Sequence, residues 1–127
     1  MFHILKKKNR NELTQVNLWE LIPVRNFNHE INDDNLVTIL IPKFTNNFLV
    51  QFLMPRLKHP FIKVKLDKIG SAVWLEIDGV KSVGEIATLI ESKFKEDVYP
   101  VEERFQKFFS QLFNHRFIKF EHKEVKI

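Results

Sequence analysis

The 127-residue chain contains no cysteine. That removes disulfide frameworks, thiolate metal sites and cysteine nucleophiles, and it fits a reducing compartment. Its three glycines, Gly70, Gly79 and Gly84, are too few and wrongly spaced for a phosphate-cradling loop. No apolar run reaches the roughly 18 residues that a membrane-spanning helix needs. The opening MFHILKKKNR sets its short apolar run before its basic cluster, the reverse of a secretory signal, so a cytoplasmic protein is expected. His3, His29, His59, His115 and His122 are scattered without the spacing of a metal-binding motif, and no serine sits in a nucleophile elbow. The paired carboxylates Asp33–Asp34 and Glu102–Glu103 fall in a turn and in a first helical turn, where negative charge has a local structural reason. The sequence therefore proposes no catalytic residue, no metal ligand and no cofactor, and the expectation is a protein that is not an enzyme.

What is present is a globular composition, 44% hydrophobic and 28% charged, at a length of one domain. A chain of this size buries roughly 65% of the surface of its unfolded form, enough for a single core. Thirteen phenylalanines stand against one tyrosine and two tryptophans. Phenylalanine has no polar handle, so these rings belong in a core or along an apolar groove. The net charge of +4 is unevenly spread. Residues 1–66 hold 10 Lys/Arg against 5 Asp/Glu, residues 67–114 hold 6 against 9, and residues 115–127 hold 4 against 2. The middle of the chain is acidic and both flanks are basic.

Residues 1–22 read as a basic arm, with Lys6, Lys7, Lys8 and Arg10 as a solubilising cluster and a short helix over LTQVNLWELIP that Pro23 ends. VRNFNHEI and NLVTILI, separated by the turn-forming NDD, predict a β-hairpin whose second strand is covered on both faces. Phe48, Leu49, Phe52 and Leu53 sit at helical spacing, which predicts one or two helical turns before the loop bracketed by Pro55 and Pro60. FIKVKL, residues 61–66, alternates strictly: Ile62, Val64 and Leu66 on an inner face, Lys63 and Lys65 on a basic outer face. Three helices follow. Asp67 caps the first, which carries the stripe Ile69, Val73, Ile77 with Ala72 and Trp74 on its shoulders and closes at Asp78-Gly79. Ser82 and Glu85 open the second as a capping box, with Val83, Ile86, Ala87, Ile90 and Phe94 inward. Pro100 occupies the first position of the third, with Val101, Phe105, Phe108, Phe109 and Leu112 inward. FIKFE, residues 117–121, is a last strand. The fold class expected is α+β and winged-helix-like: an N-terminal three-stranded antiparallel sheet followed by a three-helix bundle.

Two helices joined at so short a turn raise the possibility of a winged-helix DNA-binding protein. A DNA reader needs a basic or amide-rich outer helix face, because phosphate contacts dominate affinity. Here the outward positions are Glu85, Thr88, Glu91 and Ser92 on the second helix, and Glu102, Glu103, Gln106, Lys107, Ser110 and Gln111 on the third, so nucleic acid is not the favoured partner. The residues leave a different site open. If strand 61–66 lies at a sheet edge, its free backbone groups accept an extended peptide. Phe105, Phe108, Phe109 and Phe113 cannot all turn toward one core line, so either some aromatic surface faces a cleft or every ring packs inside. A third reading is an interaction domain docked to a larger complex through its apolar N-terminal segment.

KLDKIGSAVWLEIDGVKSVGEIATLIESKF followed by VEERFQKFFSQLFNHRFIKF resembles the coenzyme PQQ synthesis protein D family. The positions that carry the likeness are Leu66, Gly70, Trp74, Asp78, Gly79, Ser82, Val83, Glu85 and Ile86, over residues 61–120. The resemblance implies a peptide-recognition module without chemistry of its own. Such a module binds the leader of a ribosomally made precursor peptide and presents it to a modifying enzyme, often a radical S-adenosylmethionine protein. It further implies that the leader adds as a strand beside the third β-strand, against the third helix; on this chain those elements bring in Phe61, Lys63 and Lys65, and Phe105, Phe109 and Leu112. Lys63 and Lys65 beside the docked strand would favour a leader with Glu or Asp among apolar anchors. Residues 1–22 and 43–60 depart from the short members of the family and point to service of another peptide or another protein partner. The division expected is thus an arm, 1–22, and a peptide-recognition domain, 23–127.

Overall fold

The computed structural model describes residues 3–9, 12–43, 51 and 54–121. Along the chain run β1 (His3–Asn9), β2 (Glu12–Asn17), β3 (Ile22–Arg25), β4 (His29–Ile31), β5 (Val37–Pro42), β6 (Phe61–Lys65), α1 (Lys68–Glu76), α2 (Val83–Phe94), α3 (Val101–Asn114) and β7 (Ile118–Glu121). Short 3-10 turns lie at Leu18–Glu20, Met54–Arg56 and Lys95–Val98. The described strands form three antiparallel sheets, β1–β2, β3–β7 and β4–β5–β6. The class is α+β, as the sequence suggests. The chain resolves into two compact units, one made of Met1–Asn26 with Ala72–Ile127 and one made of Phe27–Ser71.

In the unit Phe27–Ser71, the NDD turn behaves as its residues dictate. The Asn32 side chain accepts the N–H groups of Asp34 and Leu36, both at 2.9 Å, and Asn35 takes the left-handed conformation that asparagine tolerates (φ 63°). The strand expected over residues 24–31 is divided. Val24 and Arg25 lie in β3 and pair with Lys119 and Ile118, whereas His29–Ile31 pair with Ile39–Val37. Asn26 marks the break: its N–H donates to the Phe117 carbonyl (2.9 Å) and its side-chain amide to that of Arg116 (3.0 Å). In β5, Val37, Thr38 and Ile39 are buried, so the expectation of a strand covered on both faces holds for its first half only. Ile62, expected on the inner face of β6, is 52% exposed, because that end of the strand lies opposite the half-buried Ile41 and Pro42 rather than the buried Val37 and Ile39.

In the other unit, the helix expected over LTQVNLWELIP gives way to β2 and a single 3-10 turn opened by the Asn17 side chain, which accepts the Trp19 N–H at 3.0 Å. The loose apolar stripe in that segment is outweighed by a partner strand: Leu13, Thr14 and Val16 lie opposite Lys7, Lys6 and Ile4. β-Branched Thr14 and Val16 suit the extended form. Of the helix expected near 48–53, Gln51 alone is among the described residues, in helical conformation; the remainder, like Arg10, falls outside them. α2 starts with the capping box foreseen, Ser82 and Glu85 exchanging bonds of 3.2 Å, and its Val83 N–H donates to the Leu21 carbonyl at 2.9 Å. Gly84 allows that docking, since a Cβ there would stand 3.1 Å from the Trp19 carbonyl oxygen. Pro100 sits one position earlier than expected, as the extended N-cap of α3 (ψ 125°) rather than its first helical residue.

The aromatic surplus forms a chain of rings through this unit. Trp19 stacks on Phe105 at 6.4 Å between centroids, Phe105 meets Phe109 at 6.0 Å, Phe109 meets Phe120 at 6.5 Å, and Phe120 stacks on Phe113 at 5.2 Å. Phe105, Phe109, Leu112, Ile86, Ile90 and Ile118 are buried, while Phe113, off the main stripe as its position dictates, is partly exposed. Phe109 is fully buried at the centre of the chain of rings. Truncation by Phe109→Ala is expected to cost about 3–5 kcal/mol, a large part of a domain's stability, read as a fall in the urea midpoint at unchanged slope.

Candidate functional site

Among the described residues β6 is the last strand of its sheet, and its register fixes which backbone groups it turns away from β5. The Lys43 N–H donates to the Pro60 carbonyl (3.0 Å) and the Leu66 N–H to the Val37 carbonyl (2.9 Å). Facing pairs in an antiparallel ladder alternate between bonded and non-bonded. With Ile41 opposite Ile62 and Ile39 opposite Val64, the bonded residues of β6 are therefore the even ones. Phe61, Lys63 and Lys65 turn their N–H and C=O groups the other way. Among the described residues no strand pairs on that side. The result is an edge of three residues, at every second position, ready to hold an extended chain.

The chemistry of this edge is cationic and apolar. Side chains of facing residues share a face, so Phe61, Lys63 and Lys65 lie on the face of Pro42, Leu40 and Thr38, with Glu30 opposite Thr38 in turn. Lys63 Nζ stands 3.3 Å from a Glu30 carboxylate oxygen, with the two side chains 57% and 52% exposed. Phe61 is 37% exposed and Ile62, on the other face, 52%. One end of the strand is apolar and open to solvent, and the other carries the ammonium groups.

The inner end of β6 is fixed by a residue that sequence reasoning passed over. The Val37 N–H donates to Ser71 Oγ at 2.8 Å, and the Ser71 hydroxyl donates to the Leu66 carbonyl at 3.3 Å. Ser71 itself is buried in the first turn of α1. The Asp67 side chain caps that turn through the Gly70 N–H at 2.7 Å, and the Asp67 carbonyl accepts the Ser71 N–H at 2.8 Å. The signal was a small polar residue inside the apolar run IGSAVW. Glu30 was missed for a different reason, since only the cross-strand register brings it beside Lys63.

The remaining expected residues have structural placements. Phe105, Phe109 and Leu112, expected to line a peptide groove on α3, are all buried and committed to packing in their own unit. Leu66 is half-buried after β6, Gly70 is buried in α1, and Trp74 and Ile86 are fully buried. The Arg25 guanidinium carbon lies 6.0 Å from the centroid of the Trp74 ring, within cation–π range. Gly79 takes the left-handed φ of 78° that ends α1. Asp78 accepts the N–H groups of Val80 and Lys81, both at 2.9 Å, and the Lys81 ammonium at 2.7 Å. The Lys81 bond, then the two backbone donors, hold the Asp78 carboxyl well below the usual carboxylate range. The same bond raises Lys81.

Other chemistries find less support in the structure. Among the described residues no group of three or more His, Asp or Glu is placed to hold a metal ion. No described helix is long and apolar enough to cross a membrane. The exposed residues of α2 include Glu85 and Glu91, and those of α3 include Glu102 and Glu103, so the DNA-binding alternative gains no support from these faces.

Residues 62–118 match the family model of coenzyme PQQ synthesis protein D. The matched segment runs from the second residue of β6 through the three helices to the first residue of β7. No curated protein and no solved structure matches the chain.

Two outcomes are expected from the bonds that hold this region. Ser71→Ala leaves the buried Val37 N–H without its acceptor and is expected to cost about 1–3 kcal/mol in urea unfolding. Asp78 has a folded-state pKa below its unfolded value. Its contribution to stability is therefore complete above about pH 4 and fades as acid carries the group through its folded pKa. An Asp78→Ala chain should be less stable at pH 7, and the difference from wild type should shrink as the pH is lowered below about 4.

Proposed function

We propose that this chain, whose residues 62–118 belong to the coenzyme PQQ synthesis protein D family, is a non-catalytic cytoplasmic adaptor that captures the leader of a ribosomally made precursor peptide. It presents that peptide to a modifying enzyme of the radical S-adenosylmethionine type. The observation that carries the reading is the outward row of N–H and C=O groups on Phe61, Lys63 and Lys65. An extended leader adds there as a fourth strand, its main chain supplying affinity and its alternate side chains specificity. A winged-helix-like arrangement of sheet and helices is part of this reading. Phe105, Phe109 and Leu112 enter it as the packing that fixes α3.

The family resemblance supports the kind of partner, and the residues of β6 support the mode of capture. Val64 spends its backbone bonds on β5, whereas Lys63 keeps its own for a newcomer. Proline, which removes an N–H, therefore distinguishes the two positions. Affinity capture of the tagged protein from its host, with mass spectrometry that covers short peptides, is expected to recover a precursor peptide whose leader binds the purified chain. Lys63→Pro is expected to abolish that binding with the sheet intact by circular dichroism, and Val64→Pro to disrupt the sheet itself. Undiminished peptide affinity in a folded Lys63→Pro chain would falsify strand addition at β6. Recovery of large protein partners alone, with no peptide, would favour a structural interaction domain instead.

A further inference from the structure

The Lys63–Glu30 pair does something for the edge that a lone lysine would not. Glu30 lies on β4, opposite Thr38, and Thr38 lies opposite Lys65; the Lys63 side chain reaches diagonally across β5 to the Glu30 carboxylate. Lys65, two residues along the same face, has no carboxylate partner among the described residues. The two lysines that flank a docked strand thus differ in the free protein: one ammonium is open and one is occupied.

We infer that Glu30 is a built-in competitor for the acidic side chains of the docked peptide, and that the peptide carries carboxylates at alternate positions, one taken by Lys65 and the next displacing Glu30 from Lys63. The inference rests on the strand-addition reading and gives it a substrate class. An added strand bonded to Phe61, Lys63 and Lys65 places its facing side chains on their face, with Cβ atoms about 4.5–5.5 Å away. In the antiparallel direction the peptide reads acid, apolar, acid, apolar, aromatic. The acids face Lys65 and Lys63, the aromatic residue faces Phe61, and the apolar residues between them meet Val64 and the exposed Ile62. The parallel direction reverses the order.

Magnitude decides whether Glu30 can be displaced. An ion pair between side chains this exposed shifts an equilibrium about fivefold at most. The Glu30 carboxylate is therefore weak enough to be exchanged for a carboxylate held in place by main-chain bonds. It is also close enough to Lys63 to reduce what an acidic peptide gains there. A neutral strand meets a Lys63 already satisfied by Glu30; an acidic one gains Lys65 outright and trades one carboxylate for another at Lys63. Glu30 so reduces the gain of an acidic strand at Lys63, and Lys65 leaves that strand ahead.

The test uses the full chain, uniformly labelled with nitrogen-15, and the synthetic peptide acetyl-Gly-Glu-Val-Glu-Val-Phe-Gly-amide. Two further probes carry Gln or Lys in place of both Glu residues. Titrations follow the amide signals of Phe61, Lys63 and Lys65 at low and moderate salt. The acidic probe is expected to bind tightest, with an advantage that declines as salt rises. Glu30→Gln should tighten the acidic probe about twofold to fivefold and leave the Gln probe within twofold, and Lys65→Glu should reverse the preference toward the Lys probe. Equal affinity for the Glu and Gln probes on both wild type and Glu30→Gln, with the β6 amides still shifting, would overturn the competitor role and leave strand addition standing. If none of the three probes moves those amides, both the inference and the strand-addition reading beneath it fail.

Discussion

The position of β6 depends on one hydroxyl. Ser71 accepts the N–H of Val37 at the start of β5 and donates to the carbonyl of Leu66 just after β6, while the Leu66 N–H bonds the Val37 carbonyl. A buried backbone N–H must find a partner, and a strand that gives way to a helix has no further ladder to supply one. The first turn of α1 brings the missing group. Because Asp67 caps that turn, a two-residue connection, Leu66–Asp67, carries the chain from strand to helix with its polar groups satisfied. Everything read from the edge of β6 presupposes this closure. A one-residue slip in the ladder would turn the even residues outward and the lysines to the opposite face.

The amino-acid order carried the local part of this arrangement in plain view. The capping box Ser82–Glu85, the Asp67 cap and the Asp78-Gly79 stop are rules of one or two turns, and the structure contains each of them, while FIKVKL forms its strand but covers its inner face only from Val64 onward. What could not be read is what depends on a second segment. The stretch Glu12–Asn17 has a helical stripe weak enough to lose to β1, and nothing within it announces that β1 is there. Asn26 divides one apparent strand into two because the carbonyls of Arg116 and Phe117 are waiting for it, 90 residues away. The same holds at the candidate site. Lys63 and Lys65 are visible as a basic face, but the direction of their backbone groups follows from the register, and Glu30 belongs to the site only through two successive strand pairings.

The phenylalanines and the charges divide the work between the helices and the sheet. Phe105 and Phe109 disappear into packing, and the run continues through Phe120 to Phe113, where it reaches solvent. A ring without a hydroxyl can sit in such a chain and ask for no hydrogen bond, which explains the near absence of tyrosine. The helices then carry acid on their outer faces and the terminal strand of the three-stranded sheet carries base. This partition disfavours a polyanionic duplex along α2 and α3, and it leaves the cationic surface on the strand whose outer edge has no strand partner among the described residues.

A free strand edge is also a hazard, since it can pair with the edge of another copy. The lysines of β6 bear on that as much as on recognition. If two copies met antiparallel with Lys63 at the centre, Lys63 would face Lys63 and each Lys65 would face a Phe61. Like charges placed directly opposite one another oppose such a pairing. The Glu30 partner softens the repulsion at Lys63 without removing it, because an exposed pair is held only loosely. An extended segment that brings its own carboxylates meets the opposite situation, attraction at Lys65 and exchange at Lys63. The charge that keeps the edge from its own kind is thus the charge that admits an acidic strand, and two residues at alternate positions are sufficient for both because the sheet register turns their backbone groups and their side chains toward the same newcomer.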